Sequence, residues 1–96
     1  MWSWFSKVEA KKADAHMDGL ILYKFDQCPY CVRVFKIIEQ LNCANEIEMR
    51  DTRAESKWKS DLLARTGKTQ VPCLFIEGKP LFESLDIVEF LRKRFS

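Results

Sequence analysis

The sequence has no continuous apolar run long enough to form a membrane-crossing helix. Its first residues carry no apolar segment followed by a small-residue cleavage pattern, so no secretory signal peptide is expected. Blocks of like charge are missing as well. Sixteen Lys and Arg against 14 Asp and Glu leave a formal charge of +2, which is no footprint for nucleic acid. There is a single histidine, His16, and no second cysteine pair at knuckle spacing, so a structural zinc site lacks its remaining ligands and no metal is expected. Repeats and low-complexity stretches are absent. What remains is ordinary for one domain: 96 residues, 47% of them hydrophobic and 12% aromatic, suffice for a single core. Four cysteines without a signal peptide fit a reducing cytoplasm better than a secreted disulfide scaffold.

Against this background the tetrapeptide Cys28-Pro29-Tyr30-Cys31 stands out. It follows a strand-like run, Leu20–Phe25, and opens a helix-like run, Val32–Leu41. Strand, turn and Cys-x-x-Cys at a helix start is the context in which the motif means redox chemistry. Proline suits the first helical position, where its missing N–H is no loss. The Cys28 sulfur then sits by unpaired backbone N–H groups and the positive end of the helix dipole, which favour a thiolate. Cys31 falls one turn later, in line with Val34, Phe35, Ile38 and Leu41 on the apolar face. The pair is therefore expected to be unequal, with Cys28 exposed and reactive and Cys31 shielded.

The rest of the chain alternates in type. A short strand is predicted over 46–50, and a helix over 54–65 with Trp58, Leu62 and Leu63 on its apolar side and Gly67 as its stop. Cys73–Ile76 reads as a buried strand, Gly78-Lys79 as a tight turn, and Pro80–Phe82 as a further strand. A last helix from Ser84 to about Phe95 is expected to bury Leu85, Val88, Leu91 and Phe95. The order βαβαββα predicts an α/β domain over 19–96 built on a four-stranded mixed sheet. Residues 1–18 stand apart as an N-terminal extension. Met1–Ser6 is aromatic, the remainder polar and helix-favouring, and Trp2, Phe5 and Val8 share one helical face. An extra N-terminal helix packing on the domain is expected there; a membrane-surface or partner-docking helix is the alternative.

Three blocks at matching spacing make residues 19–96 resemble a glutaredoxin, a glutathione-dependent member of the thioredoxin fold. They are Cys28-Pro29-Tyr30-Cys31, then Arg65-Thr66-Gly67-Lys68-Thr69-Gln70-Val71-Pro72, then Phe82-Glu83-Ser84-Leu85-Asp86-Ile87. The resemblance implies a cis bond at Val71-Pro72, with the Val71 backbone left to pair with the cysteinyl backbone of glutathione, a form of strand addition. It implies that Ser84 holds the γ-glutamyl carboxylate at a helix N-terminus, with Glu83 or Asp86 taking the ammonium group. Lys68 and Gln70 would meet the glycine carboxylate, and Tyr30 would line the cleft. Two departures stand against the pattern: Phe82-Glu83-Ser84 replaces a usual Gly-Gly, as in glutathione transferase N-terminal domains, and Phe25 replaces a usual lysine. Lys24 is expected on the opposite sheet face, and Cys43 and Cys73 as inert buried cysteines.

The function these features imply is glutathione-dependent thiol–disulfide exchange by a cytoplasmic monomer. Cys28 is the nucleophile and Cys31 the resolving thiol, acting on disulfide-containing or glutathionylated proteins with glutathione as reductant. Two alternatives are a glutathione-assisted iron–sulfur cluster module holding its cluster through Cys28, and glutathione transfer to small electrophiles. The resolving Cys31 and Pro29 weigh against the first, and the lack of a second helical domain against the second.

Overall fold

A strand with apolar residues on both faces belongs in the middle of a sheet, and Leu20–Lys24 is found there. The computed structural model describes residues 19–96; the extension and its expected helix at 1–18 lie outside the described residues. Four strands, β1 (Leu20–Lys24), β2 (Ile47–Asp51), β3 (Cys73–Ile76) and β4 (Lys79–Leu81), and three helices, α1 (Pro29–Leu41), α2 (Ser56–Thr66) and α3 (Ser84–Phe95), succeed one another as βαβαββα. The sheet order is β2-β1-β3-β4. β1 runs parallel to β2, with Leu20 opposite Ile47, and antiparallel to β3, with Leu22 opposite Leu74. Parallel pairing of β1 and β2 requires a crossover, and α1 supplies it.

Period-two alternation then divides the core. Leu20 and Leu22 of β1 turn to one face and pack with Val34, Ile37 and Ile38 of α1 and Ile87 and Leu91 of α3. Ile21 and Tyr23 turn to the other and meet Phe75, Cys73 and Leu62, with Trp58 of α2 partly buried against them. Among the described residues, two helices therefore cover one face and α2 alone the other.

The predicted elements fall close to the observed ones, and the differences have local causes. Leu63 is 51% exposed and Leu85 64%, because each is one residue, about 100° of helix, away from the buried Leu62 and from the Ser84 and Ile87 pair. Ile87, not Leu85, fills the core under α3. The hairpin turn sits at Glu77-Gly78, one residue earlier than read from the sequence. Both residues have positive φ, 50° and 87°, as the favoured two-residue hairpin requires. The same need fixes Gly67. It closes α2 at φ 79° with its N–H bonded to the Leu63 carbonyl at 2.8 Å, and an added Cβ would meet no atom within 4 Å. Gly67→Ala is therefore expected to cost backbone strain alone, about 1 kcal/mol, seen as a melting temperature lower by about 4–8 °C with unchanged far-ultraviolet dichroism.

Candidate active site

Cys28 is the N-cap of α1. Its backbone is extended (φ −76°, ψ 121°), and its side chain accepts a hydrogen bond from the Cys31 N–H, with N···Sγ 3.4 Å. Pro29 follows at the helix start. The chain reaches this position through a tight turn in which the Cys28 N–H donates to the Phe25 carbonyl at 3.3 Å. The sulfur thus takes up a first-turn donor that the helix leaves unpaired, and it also lies 4.0 Å from the Val71 carbonyl. That covering corrects one expectation: Cys28 is only 6% exposed.

Cys31 is fully buried. Its thiol is pushed up to about 12, first by burial and further by Cys28 beside it, and a backbone hydrogen bond from Phe25 offsets only part of that rise. Both cysteines of the pair are thus buried, Cys31 completely and Cys28 all but 6%. Cys73 is also fully buried and pushed up to about 12 by burial, against a lowering hydrogen bond from the Leu81 backbone. Cys43 is 2% exposed, its thiol donates to the Ile38 carbonyl at the end of α1, and burial raises it too.

The Val71-Pro72 bond is cis. Among the described residues no hydrogen bond engages the Val71 N–H, while its carbonyl faces the Cys28 sulfur. Next to it opens a groove of about 450 Å³ between the first turns of α1 and α3. It brings together six of the expected residues, Tyr30, Gln70, Val71, Pro72, Glu83 and Ser84. Lys68 is not among its walls; its ammonium lies 4.9 Å from the centre of the Phe82 ring, and Phe82 does line the groove. Asp86, in the first turn of α3, is exposed and outside it. The structure adds Arg33, which the sequence reading missed. Arg33 lines the groove, its Nη1 donates to the Ser84 hydroxyl at 3.4 Å, and its guanidinium lies 6.0 Å from the Tyr30 ring centre. Helical spacing from Tyr30 was the available signal, since residues three apart share a helix face.

Phe25, in the place of the usual lysine, carries a cation of its own: the Arg53 guanidinium is 3.9 Å from the ring centre. Arg53 is set there by a turn in which Asp51 accepts from the Arg53 and Ala54 N–H groups at 2.9 and 2.8 Å. Those bonds, the Ala54 one foremost, together with Lys24 hold the Asp51 carboxyl below its ordinary range. Lys24 itself is occupied by Asp26 at 2.8 Å and Asp51 at 3.3 Å, over the Phe35 ring. A second groove, of about 420 Å³, flanks α1 between Phe35, Ile38 and Met49 and holds none of the expected site residues.

A family model described as the glutathione S-transferase N-terminal domain matches residues 22–96. The chain belongs to that family, as a glutaredoxin-type member. Among curated proteins, it is 39% identical over 61 residues to glutaredoxin-C6 of Oryza sativa subsp. japonica, an alignment covering 62% of this chain and 54% of the rice protein. The chain therefore spans little more than half the length of that relative. Among solved structures, the buckwheat glutaredoxin–glutathione complex is 28% identical, with 85% of this chain and 76% of that one covered at a TM-score of 0.62. Glutathione transferase Omega 3C from Trametes versicolor is 26% identical, with 80% and 34% covered at a TM-score of 0.65. Residues 19–96 thus have a thioredoxin-like architecture that matches about a third of that transferase's length.

Proposed function

We propose that the chain is a glutathione-dependent thiol–disulfide oxidoreductase that reduces protein disulfides and glutathione mixed disulfides through Cys28 and Cys31. The observation that carries this reading is Cys28 capping α1 with its sulfur on the Cys31 N–H, beside the Val71 peptide, whose N–H has no partner among the described residues. In the first step the Cys28 thiolate attacks one sulfur of the substrate disulfide. That S–S bond breaks, and the expelled thiolate takes a proton from solvent. In the second step Cys31 loses its proton and attacks the Cys28 sulfur, which releases the second substrate thiol and leaves a Cys28–Cys31 disulfide. Two glutathione molecules then return the pair to dithiol and leave as glutathione disulfide, so two electrons pass in all. A glutathionylated substrate needs Cys28 alone: its glutathione moves to Cys28 and a second glutathione removes it.

The groove fits glutathione in chemistry. The Val71 peptide offers a donor and an acceptor to an extended peptide backbone. Ser84, at the start of α3, offers its hydroxyl and a helix-end N–H to a carboxylate, with Glu83 beside it for the ammonium group. Gln70 and, by reorientation from Phe82, Lys68 serve the glycine carboxylate. Tyr30 flanks the cleft, and Asp86 adds negative charge near the ammonium. Return to the dithiol by glutathione fits a reducing compartment, the cytoplasm.

The Glu83-Ser84 pair and the family match favour a second reading, transfer of glutathione to small electrophiles. One comparison separates the two. A coupled glutathione assay on a glutathione mixed disulfide should give turnover, while a parallel thioredoxin-reductase assay and a chlorodinitrobenzene conjugation assay should give little. Conjugation without disulfide reduction would overturn the oxidoreductase reading.

A further inference from the structure

The groove holds more charge than thiol exchange requires. Within it, Arg33 reaches across from α1 to the Ser84 hydroxyl at 3.4 Å. Ser84 is one of the few buried polar residues, 7% exposed, so this hydroxyl sits in the groove wall rather than on a mobile surface. Glu83 lines the same groove, and α3 presents there its unpaired first-turn N–H groups. A cation, a carboxylate, a hydroxyl and helix-end donors within one corner are complementary to an α-amino-acid head: its carboxylate to the first, third and fourth, its ammonium to the second. A neutral or purely anionic head would leave one of the two side-chain charges without a partner.

We propose that Arg33 binds the α-carboxylate of the γ-glutamyl group and sets the selectivity of the site for thiols that carry a free α-amino-acid head. This assignment rests on the glutathione reading above and adds to it the residue that discriminates. The planar guanidinium meets the carboxylate in two-point fashion while Ser84 holds the fork in place. Lysine would supply the charge without that geometry.

The test is steady-state kinetics at a fixed glutathione concentration with two cysteine mixed disulfides as substrates, that of glutathione and that of γ-aminobutyryl-cysteinylglycine, which lacks only that carboxylate. Arg33→Ala is expected to raise KM for the glutathione mixed disulfide by about 10–100-fold, the worth of one charge-assisted hydrogen bond. It should change kcat by no more than a few fold and leave KM for the analogue unmoved. Arg33→Lys should recover part of the loss. Arg33 is exposed, so these variants should melt like the wild type. An equal rise for both mixed disulfides, or none for either, overturns the assignment while leaving the glutathione reading intact. Absence of glutathione turnover in the wild-type protein overturns both.

Discussion

Cys28→Ser is expected to bring disulfide exchange down to the uncatalysed background, while Cys31→Ser keeps turnover of glutathione mixed disulfides within a few fold of wild type. Serine is itself a good N-cap, so it retains the bond to the Cys31 N–H and the fold with it. What disappears is a sulfur nucleophile, and an alcohol at that position has no comparable anion near neutral pH. Cys31 is no substitute. It is fully buried, and burial, the largest cause, pushes its thiol far above the ordinary range with or without Cys28 beside it. Raising the pH to 9 should therefore not rescue Cys28→Ser, and iodoacetamide should label Cys28 well ahead of Cys31 in the native protein. Turnover of protein disulfides, which needs the resolving step, should fall in both variants. Equal loss of mixed-disulfide activity in the two would contradict the assigned roles.

The largest expected effect on stability comes from the other side of the sheet. Arg50 is 4% exposed on β2. Its Nη1 donates to the Tyr23 hydroxyl at 2.7 Å and to Asp61 at 3.2 Å, its Nε to Glu48 at 2.6 Å, and its guanidinium lies 4.3 Å from the Trp58 ring centre. Tyr23 in turn donates to Asp61, which Arg65 meets from the next turn of α2. Arg50→Ala removes the hub and leaves buried partners behind. Loss of one member of a buried pair costs about 3–5 kcal/mol. Asp61 is a quarter exposed and retains Arg65, which brings the expectation to roughly 2–3 kcal/mol. Urea titration should show this as a lower midpoint at an unchanged slope.

The pH dependence of that deficit has a defined sign. Burial acts to raise the Asp61 carboxyl, but Tyr23, Arg65 and Arg50 outweigh it and hold it below its ordinary range. A depressed carboxylate stabilises the fold above its unfolded-state value and loses that contribution as pH falls through the folded-state value. The gap between wild type and Arg50→Ala should therefore narrow on acidification below about pH 4. A gap constant from pH 7 to pH 3 would mean that lost packing on Trp58, not the ion pair, is the cause.

How legible all this was depends on how local each determinant is. The helix after the dithiol came out at its observed bounds, because Pro29 marks its start and Val34, Ile37 and Ile38 keep one apolar stripe. Cys73–Ile76 was equally plain as an unbroken apolar run. Leu63 and Leu85 went wrong because an apolar side chain beside a core position raises the apparent stripe by one residue, and only packing decides which of the neighbours is covered. The reduced exposure of Cys28 depends on Val71, 43 residues away, and no local pattern reports it. Arg33 and Arg53 escaped for a related reason. Each draws its meaning from a partner on another element, Ser84 on α3 in one case and Phe25 past β1 in the other.

The two rims of the sheet differ in a way that bears on self-association. β4 is three residues long with Pro80 at its centre, opposite Phe75. Proline in a sheet sits on an edge strand with its nitrogen on the solvent side, so the outward amide of this rim is that of Pro80, which has no hydrogen to donate. Lys79 adds a charge on the same short rim. A neighbouring molecule that laid a strand there would find nothing to accept from along its length, which is how natural sheets guard an open margin against aggregation. Among the described residues β2 lacks the proline block: its five residues include none, and exposed Met49 stands beside the single exposed charge of Glu48. Any growth of this sheet by a strand from a second chain is thereby directed to the β2 rim, on the far side of β1 from β3, β4 and the Val71-Pro72 turn that leads into them.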